Sequence, residues 1–382
     1  MMLNHKKIAS IVLNNFTHDS RVEKEAVTLS SSYNVTVYAL WAKGLKEEEN
    51  KTYDIKRLKL KSKNFSKKKA VQALKYLELI YRFYKASDTV DYYHCHDLNT
   101  LPIAIITKYV KNRKSKIIYD AHEHETEVDG LKGFSKIIMK LMEKIFIRFA
   151  DKVITVSDSI AEDYKRVYSI EKPTLVYNTP RYTNIEKNNY FRKKYNISED
   201  IYIYIFQGAL VDGRGIDELL DVFSSFNIGN RAIVFLGYGN YSEKIKEYSK
   251  KHLNIYYHDA VKPSDLLNYT VSADFGINGM IDEGYCLSYD YSLPNKLFEY
   301  LMVGLPVVVT LPEMSKFVEK HNIGVIAKSK SVYDILEAFK NLENLDLIEL
   351  KENIEKVKKE YSWEKQEEKL IELYYSLKPK GK

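Results

Sequence analysis

Short apolar runs alternate with longer amphipathic segments along the whole chain. KIASIVLN is followed by RVEKEAVTLSSS and then YNVTVYAL, and DYYHCHD, SKIIYDAHE and DKVITVSD each lead into helix-like sequence. That βαβ rhythm predicts a parallel sheet with helices on both faces. A polar, turn-rich stretch from Asn178 to about Tyr195 interrupts it. The rhythm then restarts through IYIYIFQG, RAIVFLGYG, LNIYYHD, ADFGING, LPVVVT and GVIA. The pattern therefore predicts two doubly wound α/β domains in tandem, 1–178 and a second from 179, as 382 residues would require.

One stretch, YSLPNKLFEYLMVGLPVVV (Tyr291 to Val309), breaks the simple alternation. LPVVV is a buried strand in type, and Leu297, Phe298, Leu301 and Met302 give the preceding segment a helical apolar face. Yet Asn295, Lys296 and Glu299 occupy the first turns of that helix. Ligands in such sheets bind beyond the carboxyl ends of strands, and two facing domains place the site in a cleft. A second stretch of this kind is FQGALVDGRGIDELLDVF: Gly208, Gly213 and Gly215 permit a tight loop ahead of a helix at Ile216. Its N–H groups and Arg214 suit a diphosphate, and Lys296 with a second helix N-terminus would face the same anion. One turn on, Glu299 suits neighbouring hydroxyls such as those of a ribose. The plainer readings are a glycine turn with a solvated Arg214 and a first-turn glutamate favoured by the helix dipole. Neither a Rossmann fingerprint nor a Walker lysine motif is present.

Composition narrows the class. Hydrophobic residues make up 45% and charged residues 29%, typical of a soluble globular chain, and no apolar run reaches the roughly 18 residues that span a bilayer. HKKIASIVLNNF is expected to be a first strand, not a signal peptide. Two distant cysteines, Cys95 and Cys286, match no metal or redox spacing and suggest a reducing cytoplasm. The net charge of +7 is uneven, with twelve Lys or Arg against two acids from Lys51 to Lys85. In LKGFSKIIMKLMEKIFIRFA, Lys132, Lys136, Lys140, Lys144 and Arg148 recur every four residues beside an apolar stripe. Such a segment fits an interfacial helix on anionic lipid or a helix packed on the sheet. Nucleic acid is not expected, since no recognition motif accompanies the charge. His94, His96 and Asp97 could form a metal site or simply hydrogen-bond in a cleft.

Taken with these motifs, the chain resembles the family 4 glycosyltransferases across nearly its whole length. HDSRVEKEAVTLSSSYNVTVYAL is similar to the family's first helix and second strand, YDAHE to its acceptor-side strand end, and ADKVITVSDSIAEDY to the segment before the linker. QGALVDGRGIDELL resembles the phosphate loop and SLPNKLFEYLMVGLPVV the nucleotide-binding helix. YSWEKQEEKLIELYYSL resembles a closing helix, which sets the second domain at 179–360 and the returning helix at 361–382.

The resemblance implies the GT-B architecture and retaining transfer from a nucleotide-diphosphate sugar, UDP- or GDP-linked, to a glycan or lipid-linked acceptor in cell-surface polysaccharide synthesis. It implies that Arg214 holds the diphosphate, that Glu299 binds the ribose, and that Lys296 and Asn295 neutralise the leaving phosphate. His122 falls near the transferred sugar, and Asn15 and Arg21 lie where the first domain approaches the donor. Gln207, Gly208, Ser292 and Leu297 complete the expected donor set. No Asp-x-Asp pair occurs, so neither a metal nor another cofactor is expected. A cytoplasmic enzyme in peripheral contact with anionic membrane follows. The chain departs from the family at Tyr291, where an earlier glutamate is usual, at Ala209, where an arginine is usual, and at NNFTHDS, which replaces a glycine-rich loop. A sugar-nucleotide epimerase or hydrolase using Glu123, Glu125 and Asp97, or a silent assembly subunit, would share the fold.

Overall fold

The computed structural model describes residues 6–66, 68–280 and 286–377. The chain forms two compact units, Met1–Val176 with Glu367–Lys382 and Tyr177–Gln366. Trp363 and Gln366 belong to the second unit because Trp363 N donates to the Pro180 carbonyl (2.9 Å) and Gln366 Oε1 accepts from Tyr177 N (3.2 Å).

The first unit is built on β1 (Lys7–Ile11), β2 (Asn34–Leu40), β3 (Glu48–Asn50), β4 (Asp54–Leu58), β5 (Tyr92–His96), β6 (Lys116–Asp120), β7 (Lys152–Thr155) and β8 (Thr174–Leu175). They lie in the order β3-β4-β2-β1-β5-β6-β7-β8. Every pairing is parallel except the short β3–β4 hairpin. The helices are α1 (Ser20–Ser30), α2 (Lys69–Ala86), α3 (Leu101–Lys111), α4 (Gly133–Phe146) and α5 (Asp158–Tyr168). Right-handed crossovers put α1 on one face and α2 to α5 on the other, because the chain reverses direction across the sheet after β4. Alternation along β5 follows from this. Tyr93 meets Phe83 of α2 (6.3 Å between ring centroids), whereas His94 and His96 point to the α1 face.

α4 packs against its own unit through a polar side chain. Its inward residue is Glu143, fully buried, whose carboxylate accepts from the hydroxyls of Tyr119 (2.7 Å), Tyr164 (2.6 Å) and Tyr168 (2.5 Å). Three charge-assisted bonds compensate burial of that carboxylate. With the polar side inward, the apolar stripe faces outward, and Phe134, Ile137, Ile138, Leu141 and Ile145 are exposed.

The second unit is built on β9 (Tyr202–Ala209), β10 (Arg231–Tyr238), β11 (Ile255–Asp259), β12 (Phe275–Asn278), β13 (Val307–Val309) and β14 (Gly324–Ile326). Its order is β11-β10-β9-β12-β13-β14, all parallel. Helices α6 (Tyr190–Tyr195), α7 (Ile216–Phe223), α8 (Ser242–Lys251), α9 (Leu266–Thr270), α10 (Leu287–Asp290), α11 (Asn295–Met302), α12 (Pro312–His321), α13 (Val332–Glu343) and α14 (Leu347–Tyr361) surround it, and α15 (Trp363–Ser376) follows. One core joins Tyr204 and Phe206 of β9 with Leu219, Leu220 and Phe223 of α7 and Phe339 of α13.

Candidate functional site

In the second unit the loops after β9 and β12 and the start of α11 converge on one pocket. Gly213, Arg214, Asn278, Tyr289, Ser292 and Lys296 are among its lining residues. The loop Asp212 to Gly215 runs into α7, and Gly215 lies at φ +75° against the end of β12. A Cβ there would stand 2.3 Å from the Met280 carbonyl oxygen, so only glycine lets the loop close onto that strand end. α11 begins at Asn295 behind an extended Pro294, and it buries Leu297, Phe298, Leu301 and Met302 in the core. Lys296 and Glu299, on the same helix, are half-buried.

Among the described residues, the pocket holds donors without acceptors. Arg214 lies over the Tyr289 ring, 5.3 Å from its centroid, and its Nε has no hydrogen-bond partner among them. Asn278 is buried, and its Nδ2 also has none among them. Lys296 Nζ sits 4.1 Å from the centroid of the Phe206 ring. Burial and the Arg214 charge pull this ammonium down to about 7, against the opposing effect of Glu299. Buried donors left open cost free energy that an anion would recover.

Beside the pocket, Gln207 Nε2 donates to Glu299 Oε2 (2.6 Å), while Gln207 Oε1 accepts from Thr270 Oγ1 (2.7 Å). Gln207 is thus a buried bracket that fixes one oxygen of Glu299. The Tyr300 hydroxyl accepts from Gln207 N (3.1 Å), and its ring lies against Gly276, where a Cβ would come within 2.4 Å of it. Packing therefore ties the register of α11 to β9 and β12.

The remaining expected donor residues are placed as follows. Gly208 is exposed at the end of β9, Asn295 is exposed at the first position of α11, and Ser292 donates to the Tyr289 carbonyl (2.9 Å). Leu297 departs from its expected role: its side chain is in the core and its N–H donates to the Pro294 carbonyl (3.0 Å). Asn278 and Gln207's bracketing role escaped the sequence reading. The signal was a polar residue following the apolar FGI.

The first unit carries a separate buried polar cluster. Arg21, expected near the donor, is instead 3% exposed, with Nε and Nη2 donating to both Asp120 oxygens (2.9 and 2.7 Å) and Nη1 to the Val176 carbonyl (2.8 Å). It also pairs with Glu25 at 3.2 Å. Its guanidinium is committed to the interior of its own unit. Asn15 Oδ1 accepts from Thr17 Oγ1 (2.8 Å), and the Asn15 carbonyl accepts from Arg57 Nε (3.0 Å). His122 Nε2 lies 3.2 Å from Asp120 Oδ2 and 3.0 Å from His96 Nδ1. Burial alone would lower His122, but the Asp120 carboxylate and the nearby Asp97 raise it to about 9, leaving an imidazolium at neutral pH. Burial and the Asp120 charge push Glu25 up to about 8, against the Arg21 charge, so it is a neutral acid.

The metal alternative of the HCHD segment resolves into different residues. Glu25, His94, His96 and Asp120 each offer a ligand atom, all within 4.8 Å of one another. Arg21 pairs with Asp120 and lies 3.2 Å from Glu25, while both Glu25 oxygens and His94 Nε2 have no hydrogen-bond partner among the described residues.

Comparison with known proteins gives matches of family and of fold. Residues 26–179 match the family model Glycosyltransferase Family 4, and residues 226–364 match Glucosyltransferase 3-like, C-terminal domain. Sucrose-phosphate synthase from Thermosynechococcus elongatus is similar in structure, with a TM-score of 0.78 at 15% identity over 97% of this chain and 99% of that one. Anabaena HepE in complex with UDP-glucose gives 0.71 at 10% identity, covering 97% of this chain and 100% of that one. An E. coli structure described as trehalose-6-phosphate bound with UDP-2-fluoro glucose gives 0.72 at 7% identity, covering 97% of this chain and 98% of that one. No curated protein matches the sequence itself. The chain carries a family 4 glycosyltransferase domain in its first unit and is a glycosyltransferase of the GT-B fold.

Proposed function

We propose that this enzyme transfers a sugar with retention from a nucleotide-diphosphate donor to a glycan or lipid-linked acceptor in cell-surface polysaccharide synthesis. The observation that carries the reading is the convergence of Arg214, Asn278 and Lys296 on one pocket, where Arg214 Nε and Asn278 Nδ2 have no partner among the described residues. A diphosphate supplies the acceptors these groups lack. As the glycosidic bond breaks, negative charge grows on the leaving phosphate, and Arg214, Lys296 and the α7 and α11 N-termini stabilise that charge where it develops. Glu299, oriented by Gln207, takes the ribose hydroxyls. His122, held as an imidazolium, is assigned to the sugar or its acceptor.

The cations meet the leaving group without a metal. Cytoplasmic location and peripheral contact with anionic membrane, where lipid-linked acceptors reside, belong to the same reading. The complexes of HepE with UDP-glucose and with UDP and glucose make uridine donors the first to test. The experiment is a panel of sugar nucleotides screened by calorimetry, followed by assay of free nucleotide with and without acceptor. A donor that binds and is consumed only with acceptor supports transfer. Donor hydrolysis or epimerisation without acceptor would replace it, and absence of binding across the panel would remove the donor site.

A further inference from the structure

α4 and the turn after it carry an apolar face that the described residues leave exposed. Phe134 is 74% exposed, Ile137 63% and Leu141 57%, and Ile138, Ile145 and Phe149 are exposed beside them. These positions share one side of a helix of 14 residues, about 21 Å long. Side chains of this size are ordinarily buried, and a contiguous exposed group of them marks an interaction surface. The helix does not need this face for its own attachment, because Glu143 anchors the opposite side through Tyr119, Tyr164 and Tyr168.

Charge identifies the occupant. Four-residue steps advance about 40° around a helix, so Lys140, Lys144 and Arg148 climb along one edge of the apolar stripe. Lys136 and Lys140 pair with Glu127. Among the described residues, Lys144 and Arg148 have no acidic partner, and their charge stands open beside the stripe. Lysine is depleted in the cores of protein interfaces. Cations bordering an apolar face are what a helix lying in an anionic lipid surface requires, with the face sunk about 5–10 Å to the acyl boundary and the cations among headgroups. Tyr109 of α3 extends the surface, its ring 6.2 Å from that of Phe149, with Ile106 and Val110 exposed on the same helix.

We propose that α4 is a docking helix that seats the first unit on an anionic lipid surface through its outward apolar stripe and its bordering cations. This deepens the membrane part of the proposed function and is tested without nucleotide or acceptor, so its failure leaves the donor reading standing, and the reverse holds. The full chain is floated with vesicles of phosphatidylcholine alone and of phosphatidylcholine mixed equally with phosphatidylglycerol. Binding to the anionic vesicles, weaker on neutral ones and reduced by salt, is expected. Ile137→Ser with Leu141→Ser should weaken binding at least about tenfold at any salt, since each removes an inserted aliphatic side chain. Lys144→Glu with Arg148→Glu should weaken binding to anionic vesicles alone. Circular dichroism and the melting temperature should be unchanged in both, as these side chains are exposed. Absence of vesicle binding, or equal binding by the serine variant, overturns the proposal. So does a concentration-dependent dimer that the serine variant dissociates while vesicles stay unbound, which would assign the face to a second copy.

Discussion

Lys296 offers a measurement that activity alone would not give. Its ammonium is pulled down to about 7 by burial and by Arg214, so the empty enzyme holds only part of this proton near neutrality. A diphosphate set against it restores a value near the ordinary lysine figure of about 10.4. Binding must therefore take up a proton: under about 0.1 at pH 6, about 0.5 at pH 7 and about 0.9 at pH 8. The affinity falls as pH rises, because the empty site is deprotonated first, and the loss between about pH 7 and pH 8.5 is about fifteenfold. UDP-glucose serves as the probe, since its diphosphate diester does not titrate in this window. Calorimetry at each pH in two buffers of different ionisation enthalpy gives the uptake directly. Lys296→Arg keeps a permanent charge and should bind with no uptake and a flat pH profile. Equal uptake by wild type and Lys296→Arg, or none in wild type at pH 8, would refute the argument.

Further outcomes follow from the same geometry. Glu299→Ala should weaken a nucleoside monophosphate and a diphosphate alike, whereas Arg214→Ala should weaken the diphosphate about ten- to a hundredfold and the monophosphate far less; calorimetry of both ligands reads the difference. Gln207→Ala frees Glu299 without removing it, so nucleotide affinity should fall by a smaller factor than in Glu299→Ala, and Gln207→Glu, which sets two carboxylates together, should be worse than Ala. Transfer should survive excess EDTA; loss of activity restored by a divalent ion would reverse that. Glu143→Leu leaves three tyrosine hydroxyls without their acceptor and should cost about 3 kcal/mol or more by chemical denaturation.

The strands of both sheets were legible because apolar runs such as IYIYIFQ and RAIVFL have few other uses. β3, β4 and β8 escaped; β4 did so because DIKRL carries two cations, and only the structure shows Arg57 buried and bonded to the Asn15 and Lys46 carbonyls. Arg214 and Lys296 were legible from local sequence, a glycine loop and a helix start. Arg21 was not. Its task is set by Asp120 and by the Val176 carbonyl, and no local pattern records partners so distant in sequence. The same holds for α4, where periodicity shows that a stripe exists but not which way it faces. That depends on Glu143 finding Tyr119, Tyr164 and Tyr168.

The anchoring of α4 by one carboxylate and three phenols also splits the evolutionary constraint on a single helix. Glu143 cannot change alone, since any apolar replacement strands three buried hydroxyls and any loss of a tyrosine leaves the carboxylate under-bonded. Among homologues these four positions should change as a set, for instance to an apolar residue facing phenylalanines. The outward positions answer to no such partner. They are free to drift in hydrophobicity and charge from one lineage to the next while the fold stays fixed, so a stripe that is nonetheless retained would record selection for what lies against it.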